Sequence, residues 1–114
     1  GQQTRRVDLL VGIAYSADLK KAKQLLWELA EKETRKLADQ PVQVFVSDLS
    51  DSSVVLGCRF WVKSEDYWQT KWDTLEAIKL AFDANGVEIP FPQMDVHLKP
   101  EGLSEQLSHM PPKA

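Results

Sequence analysis

The stretch "VQVFVSDLSDSSVVLGCRFWVK", Val42 to Lys63, decides how the rest of the chain must fold. Its first run sets Val42, Val44 and Val46 against Gln43, Phe45 and Ser47 in a period of two, which is the pattern of a strand with one covered face. "SDSS" then interrupts with side chains that bond their own backbone, and a second apolar run follows at once, so the two read as a hairpin. In the second run Val54, Leu56, Cys58, Phe60 and Val62 share one face, and Val55, Gly57, Arg59, Trp61 and Lys63 the other. The first set is the expected core.

Reading outward from the hairpin, each side adds a helix. Before it, "SADLKKAKQLLWELAEKETRKLADQP" spaces Leu19, Ala22, Leu26 and Leu29 as one helical stripe, widened by Leu25 and Ala30. Ser16 or Asp18 is the expected N-cap, Pro41 the expected stop, and Glu28–Lys32 and Glu31–Arg35 the expected surface pairs. After it, a helix over residues 67–84 is predicted, with Trp68, Trp72, Leu75, Ile78 and Phe82 on its inner side and Gly86 as its C-terminal stop. Ahead of the first helix, "RVDLLVGIAY" from Arg6 to Tyr15 is so continuously apolar that it predicts a central strand buried on both faces.

A further extended segment follows the second helix, in "VEIPFPQMDVHLKP" from Val87 to Pro100. The order strand, helix, strand, strand, helix, strand predicts an α+β, ferredoxin-like βαββαβ sandwich, with strands one and three central and both helices on one face. Pro90 and Pro92 remove two backbone donors from one edge of the last strand and so protect that edge. From Gln93 onward every donor is intact, and seven extended residues reach roughly 20 Å. Two readings stay open from the pattern: a longer fourth strand beside the first, or a strand that pairs with other chains.

Composition narrows the function. A chain of 114 residues, 43% hydrophobic, holds one domain with a core, and a net charge of −3 argues against a surface built for nucleic acid. A single cysteine, Cys58, with His97 and His109 distant in sequence, provides neither an internal disulfide nor a zinc ligand set. No apolar run approaches the roughly 20 residues of a membrane helix. The start "GQQTRR" has no initiator Met and no signal-peptide core, so a piece of a longer protein is expected.

The segments "VGIAYSADLKKAKQLL" and "RFWVKSEDYWQTKWDTLEAIKLAFDANGVEIPFPQMDVHLK", in that order, closely resemble the C-terminal cytosolic region of the small-conductance mechanosensitive channel (MscS) family. The most specific part is "FDANGVEIPFPQMDVHLK", since the family ends this region with a helix, an "FD-x-x-G-I" break, and "FPYPQ" or "FPFPQ" leading into "DV". The likeness covers roughly residues 7–99. It implies a homoheptameric bacterial channel, opened by bilayer tension, that releases solutes on hypo-osmotic shock. Seven cytosolic regions would form a hollow cage at the cytoplasmic face of the inner membrane. The last strand of each, matched here by Gln93, Met94, Asp95, Val96, His97, Leu98 and Lys99, would build a parallel β-barrel on the sevenfold axis. His97 stands where family members often have Asn.

On this reading the chain divides into a linker or non-native remnant at residues 1–5, the α/β domain at 6–92, the barrel strand at 93–99 and a flexible tail at 100–114. Seven Asp95 carboxylates in a narrow lumen would repel one another, so Met94, Val96 and Leu98 are the expected lumen residues. The isolated piece is expected to be monomeric or weakly oligomeric. No cofactor, metal or catalytic residue is expected: Cys58 sits on an apolar face without an activating base, and Asp48, Asp51, Glu65 and Asp66 fall in turns. The alternative functions for the fold are ligand sensing and RNA binding. The latter requires exposed aromatics on adjacent central strands, for which Trp61 is the candidate.

Overall fold

The computed structural model describes residues 3–90. Strand β1 spans Thr4–Ile13, helix α1 Leu19–Lys32, strand β2 Gln43–Leu49, strand β3 Val54–Lys63, and helix α2 Tyr67–Ala84, the last entered through a 3-10 turn at Ser64–Asp66. The strands form an antiparallel sheet in the order β1-β3-β2. Three of the four expected strands therefore stand in the expected order. Residues 87–90, expected to begin the fourth, form no strand, the chain from residue 91 lies outside the described residues, and within them only β3 is flanked on both sides.

The hairpin is closed by Ser50 and Ser53: the Ser50 backbone N–H donates to the Ser53 carbonyl at 2.9 Å, and the Ser53 N–H to Ser50 Oγ at 3.1 Å. The alternation of β3 is realised in full. Val54, Leu56, Cys58, Phe60 and Val62 are buried, and with Val7, Leu9 and Ile13 of β1 they form the sheet's half of the core. Ala22, Leu26 and Ala30 of α1 and Ile78 and Phe82 of α2 cover them. On the opposite face of the sheet, the Phe45 ring lies across Gly57, where a Cβ would collide with its Cζ and Cε2 atoms. The Arg59 guanidinium in turn covers that ring, 4.4 Å from its centroid.

Five expectations are corrected. β1 is buried on one face only: Asp8 and Leu10 point away from the helices, Leu10 being 64% exposed. A continuous apolar run is compatible with either arrangement, because the pairing with β3 fixes orientation and hydrophobicity alone does not. β1 also begins at Thr4, ahead of Arg6, since Thr4 and Arg5 pair with Lys63 and Val62.

Helix α1, capped by Asp18 Oδ1 accepting from the Lys21 N–H at 3.1 Å, ends at Lys32, well before Pro41. The chain leaves the helix because residues 36 and 37 are recruited alongside β3, beyond the start of β2. Lys36 bridges Val62, and the Leu37 N–H donates to the Trp61 carbonyl at 2.8 Å. Arg35 is consequently outside the helix and does not form the expected pair with Glu31, which instead meets Lys36 at 3.4 Å.

Helix α2 keeps the predicted bounds and buries Ile78 and Phe82 as expected, but its first half turns a different side inward. Its buried residues are Tyr67, Thr70, Thr74, Ile78 and Phe82, whereas Trp68, Trp72 and Leu75 are exposed. Counting apolar residues fails over that first half, where two of the buried positions are threonines. The helix ends as predicted: Gly86 adopts φ 71°, and the Val87 N–H reaches back to the Phe82 carbonyl at 2.9 Å, a Schellman closure that L-residues disfavour. Val87 is buried, and the Ala14 N–H donates to the Glu88 carbonyl at 2.9 Å, so the chain passes beside the end of β1 on its way to Pro90.

Thr74 Oγ1 donates to the Thr70 carbonyl at 2.7 Å, but Thr70 Oγ1 is fully buried with no hydrogen-bond partner. A buried unsatisfied hydroxyl is destabilising, and valine has nearly the same shape. Thr70→Val is therefore expected to raise stability by about 1 kcal/mol, read as a higher urea midpoint with an unchanged slope.

Candidate functional site

The single cysteine of the chain is disposed of by its position. Cys58 lies in the core beneath the helices, and burial pushes its thiol up to about 11, so at neutral pH it is protonated and packs as a small apolar group. Among the described residues no group of three or more His, Cys, Asp or Glu could hold a metal ion. The acidic turn residues do not converge: Asp48 and Asp51 are at the hairpin end, while Glu65 and Asp66 are in the turn before α2. Asp48 Oδ1 accepts from the Leu49 N–H at 2.9 Å, a local backbone role.

The strongest charged constellation ties the loop after α1 to α2. Arg35 meets Glu33 in two parallel bonds, Nε to Oε2 and Nη2 to Oε1, both 2.9 Å, and its Nη1 reaches Asp73 Oδ2 at 3.1 Å. The Arg35 hydrogen bonds hold the Glu33 carboxyl below its ordinary range, against burial, which acts in the opposite direction. The same contacts raise the guanidinium pKa still further. This is a fastener between elements, with each of the three guanidinium nitrogens directed at a carboxylate.

On the outer face of the sheet, Asp8 lies between Arg6 and Arg59, at 3.0 and 3.6 Å. Trp61 is half-buried there, paired across the strands with Arg6. β1 presents Arg6, Asp8 and Leu10 opposite Trp61, Arg59 and Gly57, so no pair of aromatics spans β1 and β3 as a stacking platform would require. A shallow groove near the hairpin is lined by Ser50, Ser52 and Ser53 together with Leu10, Ile89 and Pro90. Pro90 is half-buried. The other residues singled out in the sequence, Pro92 and Gln93 through Lys99, lie outside the described residues, and with them the lumen assignment of Met94, Val96 and Leu98.

What sequence reasoning missed is the outer side of α2. Trp68 and Trp72 are 52% and 57% exposed, with ring centroids 6.0 Å apart, and Tyr67 meets Trp68 edge-on at 5.0 Å. The Arg5 guanidinium stands 3.6 Å from the Tyr67 centroid, and Lys71 lies 5.7 Å from that of Trp68. A threonine-lined inner stripe opposite two tryptophans was the available signal.

Comparison with known proteins fixes the family. The family model described as "Mechanosensitive ion channel MscS, C-terminal" matches residues 7–89. The chain belongs to the MscS family. A small-conductance mechanosensitive channel of Edwardsiella ictaluri is 43% identical over 94 residues, covering 82% of this chain and 33% of that protein. An uncharacterized MscS family protein of Synechocystis sp. is 38% identical over 98 residues, covering 86% and 33% respectively. The crystal structure of Helicobacter pylori MscS in its closed state superposes with a TM-score of 0.73 at 28% identity, over 84% of this chain and 38% of that one.

This MscS-family C-terminal domain thus spans about a third of the length of the curated relatives it matches. Among its described residues no helix is long and apolar enough to cross a membrane. The relatives named for an activity are channels and not enzymes.

The Glu33 carboxyl supplies a pH test of the fastener. Its pKa is lowered on folding, so its contribution is fully present above the ordinary value of 4.5 and is lost as pH falls through the folded value. Glu33→Gln is expected to cost about 1 kcal/mol at pH 7, and the gap to the wild type should narrow as pH falls below the ordinary value of 4.5. Thermal melts of both proteins from pH 7 to pH 3 measure it.

Proposed function

We propose that this domain is part of the cytosolic cage of a tension-gated bacterial channel that releases solutes on hypo-osmotic shock, where it contributes to assembly and to the cytoplasmic vestibule rather than to the membrane pore. The observation that carries the reading is the family match across residues 7–89. An amphipathic helix whose outward side also carries tryptophans supports it, because such a helix has apolar surface to bury on two sides. The parent protein is a homoheptamer in the inner membrane, with this domain on its cytoplasmic side.

Within that assembly the chain continues past Pro90 and Pro92, whose missing donors protect the outer edge of the domain's own sheet. Gln93 to Lys99 then contribute one strand of a parallel barrel shared among the seven copies. Met94, Val96 and Leu98 face its lumen, and Asp95, His97 and Lys99 face outward, where carboxylates remain solvated.

The full-length protein tests both levels. Reconstituted in liposome patches, it should pass current only under suction, and in detergent it should have the mass of seven subunits. A tension-independent conductance, or none, would contradict the channel reading. Val96→Asp should lower the yield of heptamer and its thermal stability, since seven carboxylates would then share the lumen. An unchanged heptamer would overturn the inward assignment of Val96.

A further inference from the structure

The exposed face of α2 requires an occupant, and the chain carries a complementary surface at its other end. β3 runs about 30 Å from the hairpin to the turn that starts α2, placing these two regions at opposite ends of the sheet. At the α2 end, Trp68, Trp72 and Leu75 are exposed beside Arg5 and Lys71, whose cations stand over the aromatic rings. Glu65 and Asp66 also lie there, in the 3-10 turn ahead of α2, where the positive end of that helix offsets part of their charge. At the hairpin end, Leu49 is 66% exposed and Val46 and Tyr15 are also exposed. Between Val42 and Cys58 the only charged residues are Asp48 and Asp51.

We propose that the α2 face of one copy docks on the hairpin end of the next, with Trp68 and Trp72 against Leu49 and with Arg5 and Lys71 toward Asp48 and Asp51. The proposal rests on the reading of the parent as a ring of identical subunits. Two different patches that meet head to tail generate a ring when the rotation closes. A two-fold contact between two α2 faces would instead set Arg5 and Lys71 against their own copies, with like charges opposed. Tryptophans framed by cations are also the residue types that dominate interface energetics, given an apolar and acidic counterpart.

The test uses the full-length protein. Trp72→Cys and Leu49→Cys are introduced singly and together, and treated with a short bismaleimide; the wild type, with its buried Cys58, is the blank. The expected result is a ladder of cross-linked multimers in the double variant and monomer in each single variant. A second measurement does not depend on cross-linker reach: Lys71→Glu should reduce the ring fraction about threefold at moderate salt, and adding Asp51→Lys should restore it. An intact ring with no ladder and no charge-swap rescue overturns this docking and leaves the channel reading standing. Cross-linking in the Trp72→Cys single variant also overturns it, since that reports a two-fold contact. A protein that is monomeric at full length overturns both readings.

Discussion

Everything in this domain hangs on the fixed alternation of β3. Val54, Leu56, Cys58, Phe60 and Val62 are directed to one side, where α1 and α2 cover them, and both neighbouring strands take their register from the same ten residues. A one-residue slip would turn Phe60 out and Arg59 in, at the cost of the core and of an unpaired buried charge. The strand is also the only one among the described residues to be bonded on both edges, so it has no freedom to slip. Helix packing, the recruitment of residues 36 and 37 and the placing of the hairpin all follow from it.

How much of this was legible in the sequence depends on how local each cause is. The faces of β3, the bounds of α2 and the Gly86 stop are set by near neighbours along the chain, and alternation or a positive φ leaves a direct trace. The side that α2 buries is set by tertiary packing against α1 and β1, which buries Thr70 and Thr74 in its first half, and no periodicity count anticipates that. The early end of α1 was equally hidden. It depends on Leu37 reaching a carbonyl of Trp61, far away in sequence, and on the Arg35 bonds to Glu33 and Asp73.

The functional surface shows the same division. The residues that carried the family likeness, from "FDANG" onward, were visible because glycine and proline constrain the backbone wherever they stand. The exposed tryptophans were visible only as apolar residues, and apolar residues on a helix are read as core by default. Their outward position follows from the inward stripe being filled by smaller side chains. A surface that the isolated domain leaves open thus looks in sequence like a surface that it has closed.

The junction after α2 has a mechanical consequence. Beyond Gly86 the chain is held by the buried Val87 side chain and by the bond from the Ala14 N–H to the Glu88 carbonyl before it reaches Pro90. A pull applied at Pro90 therefore loads the end of β1 first, and through it the ladder to β3, before it can unwind the last turn of α2. The domain meets such a load as a stiff plate gripped at its margin, so displacement at the exit passes to the sheet as a whole.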